Sequence, residues 1–327
     1  MNGPKASRAL DLYPEIQPHN SGFLPVSFGH NIYFEECGNP NGKPIVLLHG
    51  GPGSGCNFND RRYFDPEKWR IILFDQRGSG RSKPFGSIEQ NTTWHLIDDI
   101  HLLLDFLNVK KVVLFGGSWG STLALVFAIS QPSRVNGMIL RGIFLGEKDE
   151  IDYYLNGGVA NHFPESWRRY ASMVPPEQSM NPAPYFREKI LFGTTLERKA
   201  FAREWARFEE SILHLKPIES DAIEKNLTDY PFESLAIIES HYLLQGCFIE
   251  DRFIIKNADT IPRVPTVIIQ GRYDIVCPPI SAYRLAAVLP HAKIHMVVAG
   301  HSSREPEICQ LLVSETDAIF ERIVKNP

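Results

Sequence analysis

The sequence predicts an α/β protein: a mostly parallel sheet flanked by helices, with a helical cap inserted into it. Three observations carry that expectation. Short apolar runs alternate with helical patterns as far as about residue 145. The runs vanish between about Gly146 and Asn257, where aromatic and charged helical segments take over. They then resume, so the helical stretch leaves and rejoins one sheet. The expected division is a core made of 1–145 and 258–327, with 146–257 as the cap.

Taken in order, residues 22–37 alternate apolar and polar around "FGHN" and read as an antiparallel hairpin. "PIVLLHG" (44–50), "RIILFDQRG" (70–78), "KVVLFGG" (111–117) and "NGMILRG" (136–142) are apolar and rich in β-branched residues. That is the composition of strands covered on both faces. Between them, 93–107 and 121–130 carry helical periodicity, and such alternation implies right-handed crossovers. "FPESWRRYASM", "ERKAFAREWARFEESILHL" and "FESLAIIESHYLL" fill the cap. "PTVIIQGRYD" (265–274) and "AKIHMVVAGH" (292–301) restore the strands, and 304–325 closes the chain as a helix.

Composition narrows the function. A chain of 327 residues, 43% hydrophobic, can bury a large core. Its 38 acidic and 34 basic side chains give a net charge of −4 without a basic stripe, which argues against nucleic acid. No apolar run approaches a membrane span, and the first 20 residues lack the apolar region of a secretion signal. Five cysteines are scattered with no C-x-x-C pair, which fits a reducing compartment better than a disulfide scaffold or zinc site. The expectation is a cytoplasmic protein without metal or cofactor. His95, Asp98, Asp99 and His101 crowd together, but His101 points away from the face that His95 and Asp99 share. A solvated face is the expected reading there.

The chemistry centres on "GGSWG", residues 116–120, where a strand ends and a helix begins. G-x-S-x-G in that context lifts a serine hydroxyl above the sheet on a sharp turn. A capped glycine turn would show the same letters, so the partners decide. A serine needs a base, and the base needs an orienting acceptor. Asp274 follows "VIIQGRY" and His301 follows "MVVAG", both at strand ends and both in the order Ser, Asp, His. His301 is expected to take the proton of Ser118, and Asp274 to hold the other imidazole N–H. "LLHGGPGSG" (47–55) offers bare backbone donors, and the oxyanion is assigned to the N–H groups of Gly51 and Trp119. The spacing does not match a phosphate-binding glycine loop. His49 is expected to be a structural hydrogen bonder and His30 a solvated turn residue.

These motifs resemble the proline iminopeptidases, a family of α/β-hydrolases. The resemblance spans nearly the whole chain and rests on "HGGPGSG", "DQRGSGRS" (75–82), "GGSWGSTLAL", "LRGIF" (140–144), "GRYDIVCPP" and "AGHS". It implies a serine exopeptidase that hydrolyses the bond after an N-terminal proline through a prolyl-enzyme. Its substrates are peptides with a free N-terminal proline. It further implies that cap residues Glu209 and Glu239 hold the prolyl amine, and that Phe144 and Tyr154 line the ring's slot. The physics agrees: a prolinium nitrogen has two N–H donors and one charge, which two carboxylates can satisfy. From helix pattern alone, both glutamates would read as solvated. Glu210 beside Glu209 leaves the choice of carboxylate open, and Phe208 stands where the family usually has Trp. The competing readings are an esterase or amidase acting on uncharged substrates, and a non-catalytic relative. An esterase has no use for two acids facing its acyl pocket.

Overall fold

The structure is a computed structural model that describes residues 12–228 and 231–325. Part of the N-terminal segment, and the ends of the expected core, lie outside those residues. The chain opens with the hairpin β1 (Asn20–Pro25) and β2 (Asn31–Gly38). It continues through β3 (Lys43–Leu48), β4 (Trp69–Asp75), α1 (Thr93–Phe106), β5 (Val112–Ser118), α2 (Trp119–Ser130) and β6 (Val135–Ile143). Six helices follow: α3 (Lys148–Leu155), α4 (Pro164–Ala171), α5 (Ala183–Phe192), α6 (Thr195–Ile212), α7 (Ser220–Thr228) and α8 (Phe232–Leu243). The short α9 (Phe253–Lys256) leads back to β7 (Thr266–Gly271), α10 (Pro279–Val288), β8 (Lys293–Val297) and α11 (Pro306–Lys325).

One eight-stranded sheet results, in the order β1-β2-β4-β3-β5-β6-β7-β8. β2 runs antiparallel to β1 and β4, and every other pairing is parallel. Alternate strand residues feed two cores. Val46, Leu48, Ile72, Phe74 and Leu114 face one, while Ile45, Leu47, Ile71, Leu73 and Phe115 face the other. Both faces are thus buried, which is why these strands are apolar without alternation. α11 covers the second face through Ile308, Leu312, Ile319 and Ile323. α1, α2, α10 and the helices between β6 and β7 cover the first.

Strand order also locates a cleft. The chain crosses from β4 over β3 to β5, so the loops leaving β3 and β5 diverge. Ligands of open α/β sheets bind at such a reversal, at the carboxyl ends of the strands. No helix among the described residues is long and apolar enough to cross a membrane.

Two readings need correction. His30 is buried, not solvated, with Nε2 2.8 Å from the carbonyl of Glu89. Asp99 is not on a solvated face. It is fully buried in a bidentate pair with Arg77, at 2.6 and 2.7 Å. That pair ties α1 to the loop after β4.

Candidate active site

Ser118 ends β5 with φ 56° and ψ −128°, a conformation that L-residues rarely adopt and that costs about 1–3 kcal/mol. Close packing holds it there. A Cβ on Gly120 would lie 2.0 Å from the carbonyl oxygen of Leu48, so only glycine lets α2 start this near β3. The turn leaves the Ser118 side chain facing a cavity of about 250 Å³, which Gly50, Gly51, Arg141, Glu209 and His301 also line.

Asp274 and His301 meet. Nδ1 of His301 lies 2.8 Å from Oδ2 of Asp274, although 27 positions separate them. Both are nearly fully buried. Asp274 Oδ1 accepts from the backbone N–H of Cys277 at 2.8 Å, and Gln270 Nε2 donates to Oδ2 at 3.1 Å. The carboxylate is therefore fixed from three sides. With its Nδ1 proton on Asp274, the imidazole presents a lone pair at Nε2. Burial pushes His301 below the ordinary histidine value, Asp274 opposes that, and Arg141 adds to it. The ring is thus held neutral and able to accept a proton.

The serine and histidine are not hydrogen-bonded to each other. Nε2 of His301 faces Arg141 Nη1 at 3.2 Å, and the Ser118 hydroxyl faces the Cys277 thiol at 4.0 Å. Catalytic hydrogen bonds are often long before substrate binds. Arg141 also donates to the carbonyl of His301 at 2.8 Å. His301 and Ser302 donate their backbone N–H groups to the carbonyl of Leu213, just past α6, so the histidine loop is fastened to the helix that carries Glu209.

Gly51 lines the same cavity, with φ +98° that a glycine supplies freely. Trp119 begins α2, and its buried indole donates to Gln76 Oε1 at 2.9 Å. His49 is buried beneath the loop after β3, accepting from the backbone of Gln76 at 2.9 Å, a structural position.

The two cap glutamates also come together. α6 brings Glu209 and α8 brings Glu239 close enough to share a proton. Glu239 is buried and accepts from the Trp205 indole at 2.6 Å. No donor among the described residues reaches the buried Oε2 of Glu209. Glu210 turns elsewhere and accepts from Asn226 at 2.6 Å. Burial pushes Glu209 up to about 7, and burial followed by the charge of Glu209 pushes Glu239 well above the carboxylate range. Neither carboxylate of the pair has a lysine or arginine partner among the described residues. Tyr154 is buried beside it: after burial, Glu239 and then Glu209 raise its phenol, and Cys277 adds to the effect. Phe144 is buried directly after β6. Both aromatics lie off the wall of the cavity that Ser118 faces.

The acid pair has a consequence for pH. Its folded-state values lie above the unfolded value of 4.5, so the folded chain keeps protons that the unfolded chain releases. The stability gained from the neutral form is complete below 4.5 and is lost as pH rises through about 7. Thermal melting followed from about pH 5 to about pH 7.5 should show a decline that is shallower in Glu209→Gln. Identical slopes in the two proteins would contradict the buried pair.

Arg141, Cys277, Gln270 and Trp205 were not singled out from the sequence. Arg141 and Cys277 sit inside "LRGIF" and "GRYDIVCPP", and that position was the available signal.

Comparison with known proteins shows the family and the fold. The family profile described as "alpha/beta hydrolase fold" matches residues 43–305. A "Probable proline iminopeptidase" of Leptolyngbya boryana is 44% identical over 94% of this chain and 96% of that protein. The proline iminopeptidase of Xylella fastidiosa strain 9a5c is 41% identical over 94% of this chain and 98% of that protein. That of Arabidopsis thaliana is 43% identical over 92% of this chain and 80% of that protein. Among solved structures, an alpha/beta hydrolase from a deep-sea metagenome library superposes with a TM-score of 0.67 at 18% identity, covering 92% of this chain and 97% of that one. A proline iminopeptidase-related protein from Thermus thermophilus gives a TM-score of 0.59 at 20% identity, covering 93% of this chain and 99% of that one. At those identities the two structures speak for the fold alone.

Proposed function

The chain belongs to the proline iminopeptidase family of α/β hydrolases, and from that membership we propose that Ser118, His301 and Asp274 release an N-terminal proline from peptides. The observation that carries the reading is the meeting of Glu209 and buried Glu239, with no donor among the described residues reaching Oε2 of Glu209. A prolinium nitrogen supplies a cation and two N–H donors. A blocked or neutral amine supplies neither, and leaves a buried charge or an unmet acceptor behind.

In this mechanism Ser118 attacks the prolyl carbonyl while Nε2 of His301 takes the hydroxyl proton. Asp274 keeps the ring oriented and stabilises the imidazolium. The backbone N–H groups of Gly51 and Trp119 receive the oxyanion. His301 then protonates the leaving amine, and a water activated by the same nitrogen frees the proline. The Ser118–His301 hydrogen bond forms as Nε2 leaves Arg141, which lies 3.2 Å away in the structure. Phe144 and Tyr154 are assigned to the ring's slot from the family resemblance, although neither lines the cavity that Ser118 faces. The helices of 146–257 act as a cap whose acids set specificity, with 1–145 and 258–327 as the catalytic core. Four cysteines (Cys37, Cys56, Cys247 and Cys277) form no disulfide, which supports a cytoplasmic location.

A substrate comparison tests this. Proline arylamide should be turned over at least about 100-fold more efficiently than its N-acetyl form. An aryl ester lacking an amine should also be poor. Equal turnover of the acetylated compound would point to a general amidase.

A further inference from the structure

Arg304 stands where two cavities at the site join. It lines the cavity at Ser118 and also a second cavity of about 530 Å³ farther out. The two cavities share Asn57, Glu209, Leu213, Ser302 and Arg304. If the acid pair closes the amine end of the prolyl residue, these joined cavities offer the rest of the peptide a way out.

The charges along that path are unequal in their commitments. Arg141 is occupied by the carbonyl and ring of His301. Asp60 accepts from the backbone N–H of Asn57 at 2.8 Å, and burial pushes its carboxyl up to about 6 against the pull of Arg304 and Arg141. Glu210, on the outer cavity, is held by Asn226. The exposed guanidinium of Arg304 makes no ion pair or hydrogen bond among the described residues, and only its backbone N–H is engaged, by Ser302 Oγ at 3.2 Å. A planar guanidinium with five donors is suited to a carboxylate. The outer cavity adds an exposed aromatic, Phe58, and the amides of Asn57, Asn59 and Asn226, surfaces suited to a short peptide chain.

We propose that Arg304 forms a carboxylate subsite for the leaving fragment, so that the enzyme favours short prolyl peptides whose free C-terminal carboxylate reaches it. The proposal rests on the iminopeptidase reading and deepens it. The same guanidinium could read an acidic side chain of the leaving fragment, and the test separates the two sources.

The test compares kcat/KM for prolyl peptides ending in one, two or three glycines, each as free acid and as C-terminal amide. A prolyl-aspartyl amide and its prolyl-asparaginyl counterpart form the side-chain arm. At low salt the wild type should favour the free acid about fivefold for at least one length, and high salt should erode the preference. Arg304→Gln should bring the ratio to about one, while its activity on proline arylamide stays unchanged. A preference seen only in the aspartyl arm and lost in Arg304→Gln would assign the subsite to side chains and overturn the C-terminal assignment. A preference that survives in Arg304→Gln, or none in any arm, would overturn the subsite altogether. Failure of the wild type on proline arylamide would instead be failure of the iminopeptidase reading. Arg304 is exposed, so the variant should melt with the wild type.

Discussion

Ser118→Ala is expected to lower kcat/KM on proline arylamide by about 100,000-fold, because a lost serine nucleophile removes the acyl-enzyme route altogether. Stability should change little. Alanine keeps the Cβ that already occupies φ 56°, and among the described residues the serine hydroxyl has only the Cys277 thiol, 4.0 Å away, as a hydrogen-bond partner. Cys277 is a nearby alternative nucleophile. Burial pushes its thiol well above the ordinary range, so it is not a thiolate near neutral pH. Residual turnover above about one per cent in pure Ser118→Ala would move the nucleophile elsewhere. Steady-state assay of the variant beside a mock preparation makes the measurement.

Glu239→Gln should cost on the order of 100-fold in kcat/KM on the same substrate. The carboxamide keeps an acceptor for the Trp205 indole, which now reaches Glu239 at 2.6 Å, but it removes the charge proposed to meet prolinium. Reaction of Ser118 with a small uncharged acylating inhibitor should change by less than about threefold, since the triad is built on other elements. The two numbers must separate. Equal loss in both would show that the variant damages the packing of α6 against α8, and the glutamate would lose its assigned role.

The parts legible in the sequence were those set by local pattern. Strands buried on both faces are continuous apolar runs, so β3 to β6 could be read directly. Ser118 was visible because its turn demands glycines, and Asp274 and His301 because strand ends in a parallel sheet share one rim. What escaped was set by contacts between distant segments. Asp99 looked solvated because Arg77, 22 positions away, is invisible to helix periodicity. His30 looked solvated because its partner, the carbonyl of Glu89, lies 59 positions on. Glu209 and Glu210 are adjacent and differ only in direction, and helix geometry sends one to Glu239 and the other to Asn226. That choice required the packing of α6 on α8 and α7.

The central claim is that an acid pair over the serine receives the amine of an N-terminal proline. The most direct measurement is a crystal structure of Ser118→Ala with a bound prolyl peptide. The account predicts the prolyl nitrogen within hydrogen-bonding distance of both Glu209 and Glu239, with the scissile carbonyl turned toward the backbone N–H groups of Gly51 and Trp119. A peptide bound with its nitrogen in solvent, or with the acid pair empty and still sharing its proton, would contradict it.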